Sequence, residues 1–385
     1  MSTNQPKNSG AAAPDPSFHA VRLEPEKCAG CSLCVESCPT EAIFVERGLA
    51  FIDPERCIDC GECVRVCPRG AKTAVSDCLS MIEGYRRTVA IPAPALYGQF
   101  DEAQSVDGIL AGLIELGFDE VFEVSEAIEL IAGATEALLA ELRDGDSPLP
   151  LISSACPAVV RIVQLRFPAL IPHVVALIPP MEVAARMVKE TMHRGEEGLG
   201  VFFITPCAGK VSVTRAPLGY GKSAIDGVIG FKDIYPPLKA ILSSRASRPD
   251  SPAPGRGFPY EAGEASGDGR SMKVEGIAKV IETFEALERG ELAEIRYIEA
   301  LACPAGCVGG PLSVEDPFVA RERISRRELT VPRRPRGVAP IELLSPLDWS
   351  EPIRPPAFSP RRQPAAPADS SFPSFRASCS GRPLP

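Results

Sequence analysis

Histidine is nearly absent from this chain of 385 residues: His19, His173 and His193 are the only ones, far apart, and none is assigned to a metal. No Ser-His-Asp pattern or nucleophile elbow can be read from the sequence, which removes the commonest hydrolase chemistries. Long hydrophobic runs are missing too. No segment reaches the ~20 apolar residues needed to cross a bilayer. The start, residues 1–17, is polar and rich in Ala, Pro and Asn, without the apolar stretch of a secretory signal. The expectation is a cytoplasmic protein with no membrane contact. Positive charge is not in excess, since the formal net charge is −9. Chains that bind nucleic acid carry a basic face, so no nucleic-acid partner is expected.

Cysteine and proline are what the chain has in quantity: 14 and 40 residues. With no signal segment, so many cysteines point to a reducing compartment where thiols serve metals. Eight of them form a paired run, Cys28-x2-Cys31-x2-Cys34-x3-Cys38-Pro39 and Cys57-x2-Cys60-x2-Cys63-x3-Cys67-Pro68. Iron–sulfur cubanes are held by thiolates at this spacing, with the fourth cysteine of each run reaching across to the other cluster. The expected sets are therefore Cys28, Cys31, Cys34 and Cys67, and Cys57, Cys60, Cys63 and Cys38. Zinc sites take two pairs of ligands and have no use for such a run. The stretch is also an internal repeat: Glu24-Pro25-Glu26-Lys27-Cys28 recurs as Asp53-Pro54-Glu55-Arg56-Cys57, offset by 29 residues. One supersecondary unit used twice gives a pseudo-two-fold module, and this one resembles bacterial ferredoxins carrying two 4Fe–4S clusters.

Downstream the pattern alternates between strand and helix. Residues 71–87 read as a connecting helix carrying Cys78, a buried small side chain rather than a ligand. Strands are expected at 87–92, 120–124, 149–153, 200–205, 225–231 and 294–302. Helices are expected at 104–117, 126–143, 180–192, 232–242 and 272–290. This argues for α/β architecture with a mainly parallel sheet. Three of the strands run into a cysteine beside proline: Cys156-Pro157, Pro206-Cys207 and Cys303-Pro304, the last followed by Cys307. Strand C-termini are where open α/β sheets build their sites, so these four cysteines could converge on one further cluster between two lobes. The expected layout is a disordered start (1–19), a small α+β ferredoxin-like domain (20–80) and a two-lobed α/β domain (85–320). A flexible Pro-, Gly- and Ser-rich insertion (245–271) interrupts the latter, and a Pro/Arg/Ser-rich tail (332–385), holding a free Cys379, is expected to be mostly disordered.

Residues 20 to 320 resemble the FeFe hydrogenases. Ser153-Ser154-Ala155-Cys156-Pro157-Ala158 is similar to that family's first cluster motif, usually Thr-Ser-Cys-Cys-Pro. Thr205-Pro206-Cys207-Ala208-Gly209-Lys210 is similar to the second, Met-Pro-Cys-x-x-Lys, and Ala302-Cys303-Pro304-Ala305-Gly306-Cys307 to the third. The resemblance implies that Cys156, Cys207, Cys303 and Cys307 hold a third 4Fe–4S cubane. It also implies that Cys307 bridges to a two-iron unit carrying CO and cyanide, with Lys210 donating to a cyanide ligand. The implied partners are a redox protein, ferredoxin or reductase, and H₂.

The departures bear on function. Ala155 stands where the family has its proton-donating cysteine, and general acid–base help is worth ~10²–10⁴ in rate. Ala95 and Gly133 replace further polar members of the proton route, although Glu136 keeps one glutamate. Pro179-Pro180-Met181 replaces a Ser-Pro-Gln segment, Thr205 replaces Met, and Ala305 replaces Gly. A sensor or redox regulator with weak hydrogenase activity fits this pattern best. A working hydrogenase with another proton route, and a cubane-only assembly or electron-transfer protein without the two-iron unit, stay open. Residues 216–223, Ala-Pro-Leu-Gly-Tyr-Gly-Lys-Ser, fit a relaxed P-loop, but a strand directly before and a helix directly after are not expected there.

Overall fold

The computed structural model describes residues 18–143, 148–245 and 270–328. Residues 1–17, nearly all of the expected insertion, and the expected tail with Cys379 lie outside the described residues.

The first module is built from two copies of one unit. Strand β1 (Val21–Leu23) pairs antiparallel with β4 (Lys72–Ala74), and β2 (Ile43–Glu46) pairs with β3 (Leu49–Ile52). Each cysteine run closes on a one-turn helix, Leu33–Glu36 in the first half and Glu62–Arg65 in the second. The 29-residue repeat extends to the backbone. Left-handed residues occur at Gly30 and Asp59, at Ser32 and Gly61, and at Glu41 and Gly70. Each pair reverses the chain locally at the same place in the two halves. Side chains other than glycine pay for that geometry with strain.

The larger part holds two parallel sheets. The first has the order β6-β5-β8-β9, from β5 (Arg87–Pro92), β6 (Glu120–Val121), β8 (Leu199–Thr205) and β9 (Gly227–Gly230). All seven residues of β8 are buried, as a central parallel strand covered on both faces should be. The second sheet has the order β10-β11-β7, from β7 (Leu151–Ile152), β10 (Ser271–Glu275) and β11 (Tyr297–Leu301). Helix Val106–Glu115 begins where Ser105 Oγ accepts from Gly108 N at 3.0 Å, and it buries Ile109 and Leu113. The architecture is the expected α/β fold with a ferredoxin-like module in front. No helix among the described residues is long and apolar enough to cross a membrane.

Two expected helices are different elements. Residues 71–87 contain no α-helix: Lys72–Ala74 is strand β4 and Leu79–Gly84 a 3-10 turn, with Cys78 half-buried before it. Closing the repeat requires Lys72 opposite Leu23, and Asp77 then caps β9 through its carboxylate, accepting from Val228 N at 2.8 Å. Tertiary pairing overrides helix propensity there. Residues 272–290 divide at Gly276, whose φ of 91° no helix admits. The first part pairs with β11 as β10, and the helix is Ile277–Glu288. Several expected strands are shorter than their apolar runs: 120–124 keeps two residues and 225–231 keeps four.

Candidate metal centres

In the first module the thiols gather in two groups around two hollows. Cys28, Cys31, Cys34 and Cys67 line one. Cys38, Cys57, Cys60 and Cys63 line the other. The fourth cysteine of each run is thus on the far side, beside the other run's first three. Cys38 Sγ accepts from Ala42 N, and Cys67 Sγ accepts from Ala71 N, both at 3.2 Å and one repeat apart. Burial pushes the Cys63 thiol up to about 12 while the Lys72 ammonium pulls the other way. Lys72 is itself buried, donating to Ala50 O at 3.1 Å. At Cys67 burial is outweighed by backbone N–H donors from residues 69 to 72, and its pKa falls below the ordinary thiol value. The two groups differ in access: Cys31 is exposed, whereas Cys57, Cys60 and Cys63 are buried.

The third group is assembled at strand ends. The chain leaves β7 and reaches Cys156, which caps helix Pro157–Arg166. It leaves β8 and reaches Cys207, which caps helix Ala208–Arg215. Beyond β11 come Cys303 and, on the 3-10 turn Gly306–Gly309, Cys307. The four thiols lie within electrostatic reach of one another. Burial pushes Cys207 up to about 12, and negative charge on Cys156 and Cys307 adds to it against the pull of Lys210. Cys303 is driven well above the thiol range by burial, with Arg65 opposing and the other three cysteines adding. Four thiols in this setting lose their protons together only when a cation takes their place. Burial draws the Lys210 ammonium down, but Cys307, Cys207, Cys156 and Cys303 outweigh it and hold its pKa above the ordinary lysine value.

Beside Lys210 is a small pocket whose walls include Ser154, Ala155, Pro179, Met181 and Tyr220. Ser154 Oγ is already committed to Leu177 O at 2.8 Å. Tyr220 Oη is buried and has no hydrogen-bond partner among the described residues. Ala155 faces this pocket with a methyl group, and among the described residues no carboxylate, thiol or imidazole is in its wall. Ala95 is buried in the 3-10 turn Pro94–Gln99, and Gly133 lies within helix Ser125–Glu141.

Three features escaped sequence reasoning. Asp59, between Cys57 and Cys60, accepts from Ala20 N and Val21 N at 3.0 Å each and from Ser212 Oγ at 2.6 Å. His19 joins it, one of its ring nitrogens lying within 4.8 Å of both Cys57 Sγ and an Asp59 carboxylate oxygen. Arg65 reaches from the second cysteine run to Cys303. Each is an isolated polar residue in sequence, and only the folded chain supplies its partners. The P-loop-like stretch serves a structural purpose: Ser223 Oγ donates to Glu182 Oε2 and Ala224 N to Glu182 Oε1, both at 2.7 Å. Helix, not strand, precedes it.

A ferredoxin-like dicluster module joined to an α/β unit with cysteines at its strand ends defines an iron–sulfur protein of hydrogenase-like build. The profile described as "Iron only hydrogenase large subunit, C-terminal domain" matches residues 86–257 and 257–311, more than half of the chain, and the chain belongs to that family. The "4Fe-4S dicluster domain" profile matches residues 19–72. The periplasmic iron hydrogenase large subunit of Nitratidesulfovibrio vulgaris is 30% identical over 272 residues, 65% of this chain and 63% of that protein. Iron hydrogenase 1 of Clostridium pasteurianum is 26% identical over 198 residues, 50% of this chain and 33% of that protein. The chain thus matches under two thirds of the length of either relative. A variant of the FeFe-hydrogenase of Chlamydomonas reinhardtii shares the fold, with a TM-score of 0.52 at 19% identity, covering 70% of this chain and 97% of that one.

Proposed function

We propose that the chain is an iron–sulfur electron-transfer protein that senses H₂ or redox state, with weak hydrogenase activity. The observation that carries the reading is the pocket beside Lys210, where Ala155 leaves no acidic side chain in the wall. The donor chemistry fits three cubanes: two thiol sets in the first module and a third at Cys156, Cys207, Cys303 and Cys307. Iron–sulfur clusters supply one-electron transfer when bound. The chain's own residues set the conditions for it. Backbone N–H groups at Cys38 and Cys67 stabilise thiolate, as does the Lys72 ammonium. Lys210 offers a charge-assisted donor to an anionic ligand in the pocket, and the unpartnered Tyr220 Oη offers a second. These donors favour a pocket occupied by a polar ligand, which in this family is a two-iron unit with CO and cyanide. A redox protein on the module's outer side would exchange electrons with it.

The test is an infrared spectrum of anaerobically purified protein co-expressed with hydrogenase maturation proteins, together with an H₂ assay. Bands of iron-bound CO and cyanide with slow H₂ turnover are the expected outcome. Fast turnover would make it a working hydrogenase. No such bands, with about twelve irons per chain (three cubanes of four), would make it a cubane-only protein. Cys303→Ser should remove the third cluster signal by electron paramagnetic resonance and spare the other two.

A further inference from the structure

Arg65 lies between Cys63 and Cys67, on the one-turn helix Glu62–Arg65. Its guanidinium spans two thiol groups. Nη2 donates to Cys60 O at 3.0 Å and to Glu62 Oε2 at 2.8 Å, and Nε donates to the same carboxylate oxygen at 3.1 Å. On the opposite side Nη1 donates to Gly309 O at 3.3 Å and to Cys303 Sγ at 3.9 Å. The side chain is 20% exposed, so water screens these contacts only in part. One planar cation therefore touches the backbone of the second cysteine run and the sulfur of the third set.

The repeat supplies an internal comparison. The position equivalent to Arg65 in the first half is Glu36, on the matching helix Leu33–Glu36. Glu36 is exposed and engaged only locally, accepting from Ser32 Oγ at 3.2 Å. The cysteine fold itself thus has no need of a cation here. The cation is found in the half that faces Cys303.

We propose that Arg65 is a positioning residue between the second and third thiol sets, holding the Cys303–Gly309 segment in place and raising the reduction potential of the cluster bound there. The proposal rests on the reading that both sets hold cubanes. A cation hydrogen-bonded to a ligating sulfur stabilises the more negative, reduced state. The guanidinium also closes a hydrogen-bonded link from Cys60 O to Cys303 Sγ.

The experiment is a redox titration followed by electron paramagnetic resonance on the full chain with its clusters, for the native protein, Arg65→Gln, Arg65→Lys and Glu36→Gln. In Arg65→Gln the third cluster's reduced-to-oxidised ratio at a fixed potential should fall roughly tenfold, a shift of about 59 mV for one electron. The first cluster should not move. Arg65→Lys should recover most of the potential, because it keeps the charge and loses only the fork. Glu36→Gln should leave the third cluster unchanged. An unmoved third potential in Arg65→Gln at full iron content overturns the proposal. So does loss of third-set iron in both Arg65 variants, which would make the residue purely structural. Absence of a third signal in the native protein removes the underlying reading as well, and is seen before any variant is measured.

Discussion

Ser212 Oγ donates to Asp59 Oδ2 at 2.6 Å, joining the second cysteine run to the helix that Cys207 caps. The other oxygen, Oδ1, accepts from Ala20 N and Val21 N at the start of β1. Asp59 is 2% exposed and Ser212 3%, so water can replace neither partner. Ser212→Ala should destabilise the protein by about 2 kcal/mol, the worth of a hydrogen bond to a buried charge. Asp59→Ala strands Val21 N and leaves Ala20 N with only Ser212 Oγ, at 3.1 Å, and should cost more, about 3 kcal/mol. Equal effects of the two in thermal unfolding would show that the backbone contact from Val21 N contributes nothing.

Glu182 is fully buried and accepts from Ser223 Oγ, from Ala224 N and, at 3.4 Å, from Arg186 Nε. Glu182→Gln removes the charge that Ala224 N and Arg186 Nε share and forces the Ser223 hydroxyl to turn from donor to acceptor. The loop 216–224 should loosen, with a loss of about 2 kcal/mol. Denaturant titration reads the loss, and limited proteolysis reads the loop. A variant as resistant to both as the native chain would show that Ser223 and Arg186 rearrange without penalty.

Ala305 is buried with φ of 57°, a left-handed position that costs an L-residue about 1–2 kcal/mol. Ala305→Gly removes the strain and gives back part of it in unfolded-chain entropy. The net expectation is a gain of roughly 0.5–1 kcal/mol, seen as a higher urea midpoint at unchanged slope. A lower midpoint would mean that the Ala305 methyl contributes more by packing than it loses by strain.

Gly61 and Gly70 both have positive φ, but a Cβ at Gly61 would lie 2.6 Å from Pro311 Cγ, while at Gly70 it would meet nothing within 4 Å. Gly70→Ala should therefore lose only the backbone term, about 1 kcal/mol. Gly61→Ala adds a clash across the module boundary and should lose about 1–3 kcal/mol more. Matching losses in parallel unfolding curves would mean that Pro311 moves aside freely.

The cysteines were legible because their spacing is short-range and chemically demanding: one run of eight, then single thiols at strand ends. The parallel strands were legible from apolar runs such as Leu199–Thr205. Residues 71–74 were not, because Lys72 becomes a strand only by pairing with Leu23, a partner distant in sequence. Gly276 could have marked the break before helix Ile277–Glu288, since glycine inside a helical run signals a change of element. Asp59, Arg65 and Glu182 carry no pattern at all. Their roles depend on Ser212, Cys303 and Ser223, which lie 153, 238 and 41 residues away.

The uneven burial of the first eight thiols makes the duplicated module directional. Cys31 opens to solvent, while Cys57, Cys60 and Cys63 are buried, and the intervening Asp59 and Gly61 meet Ser212 and Pro311 of the larger domain. A small oxidant or chelator arriving from outside meets the first half before the second. Chemical damage should accordingly be sequential, with the outer half yielding first and the inner half shielded for as long as Gly61 stays pressed on Pro311. Two copies of one unit thus age at different rates, by virtue of which neighbour each was given.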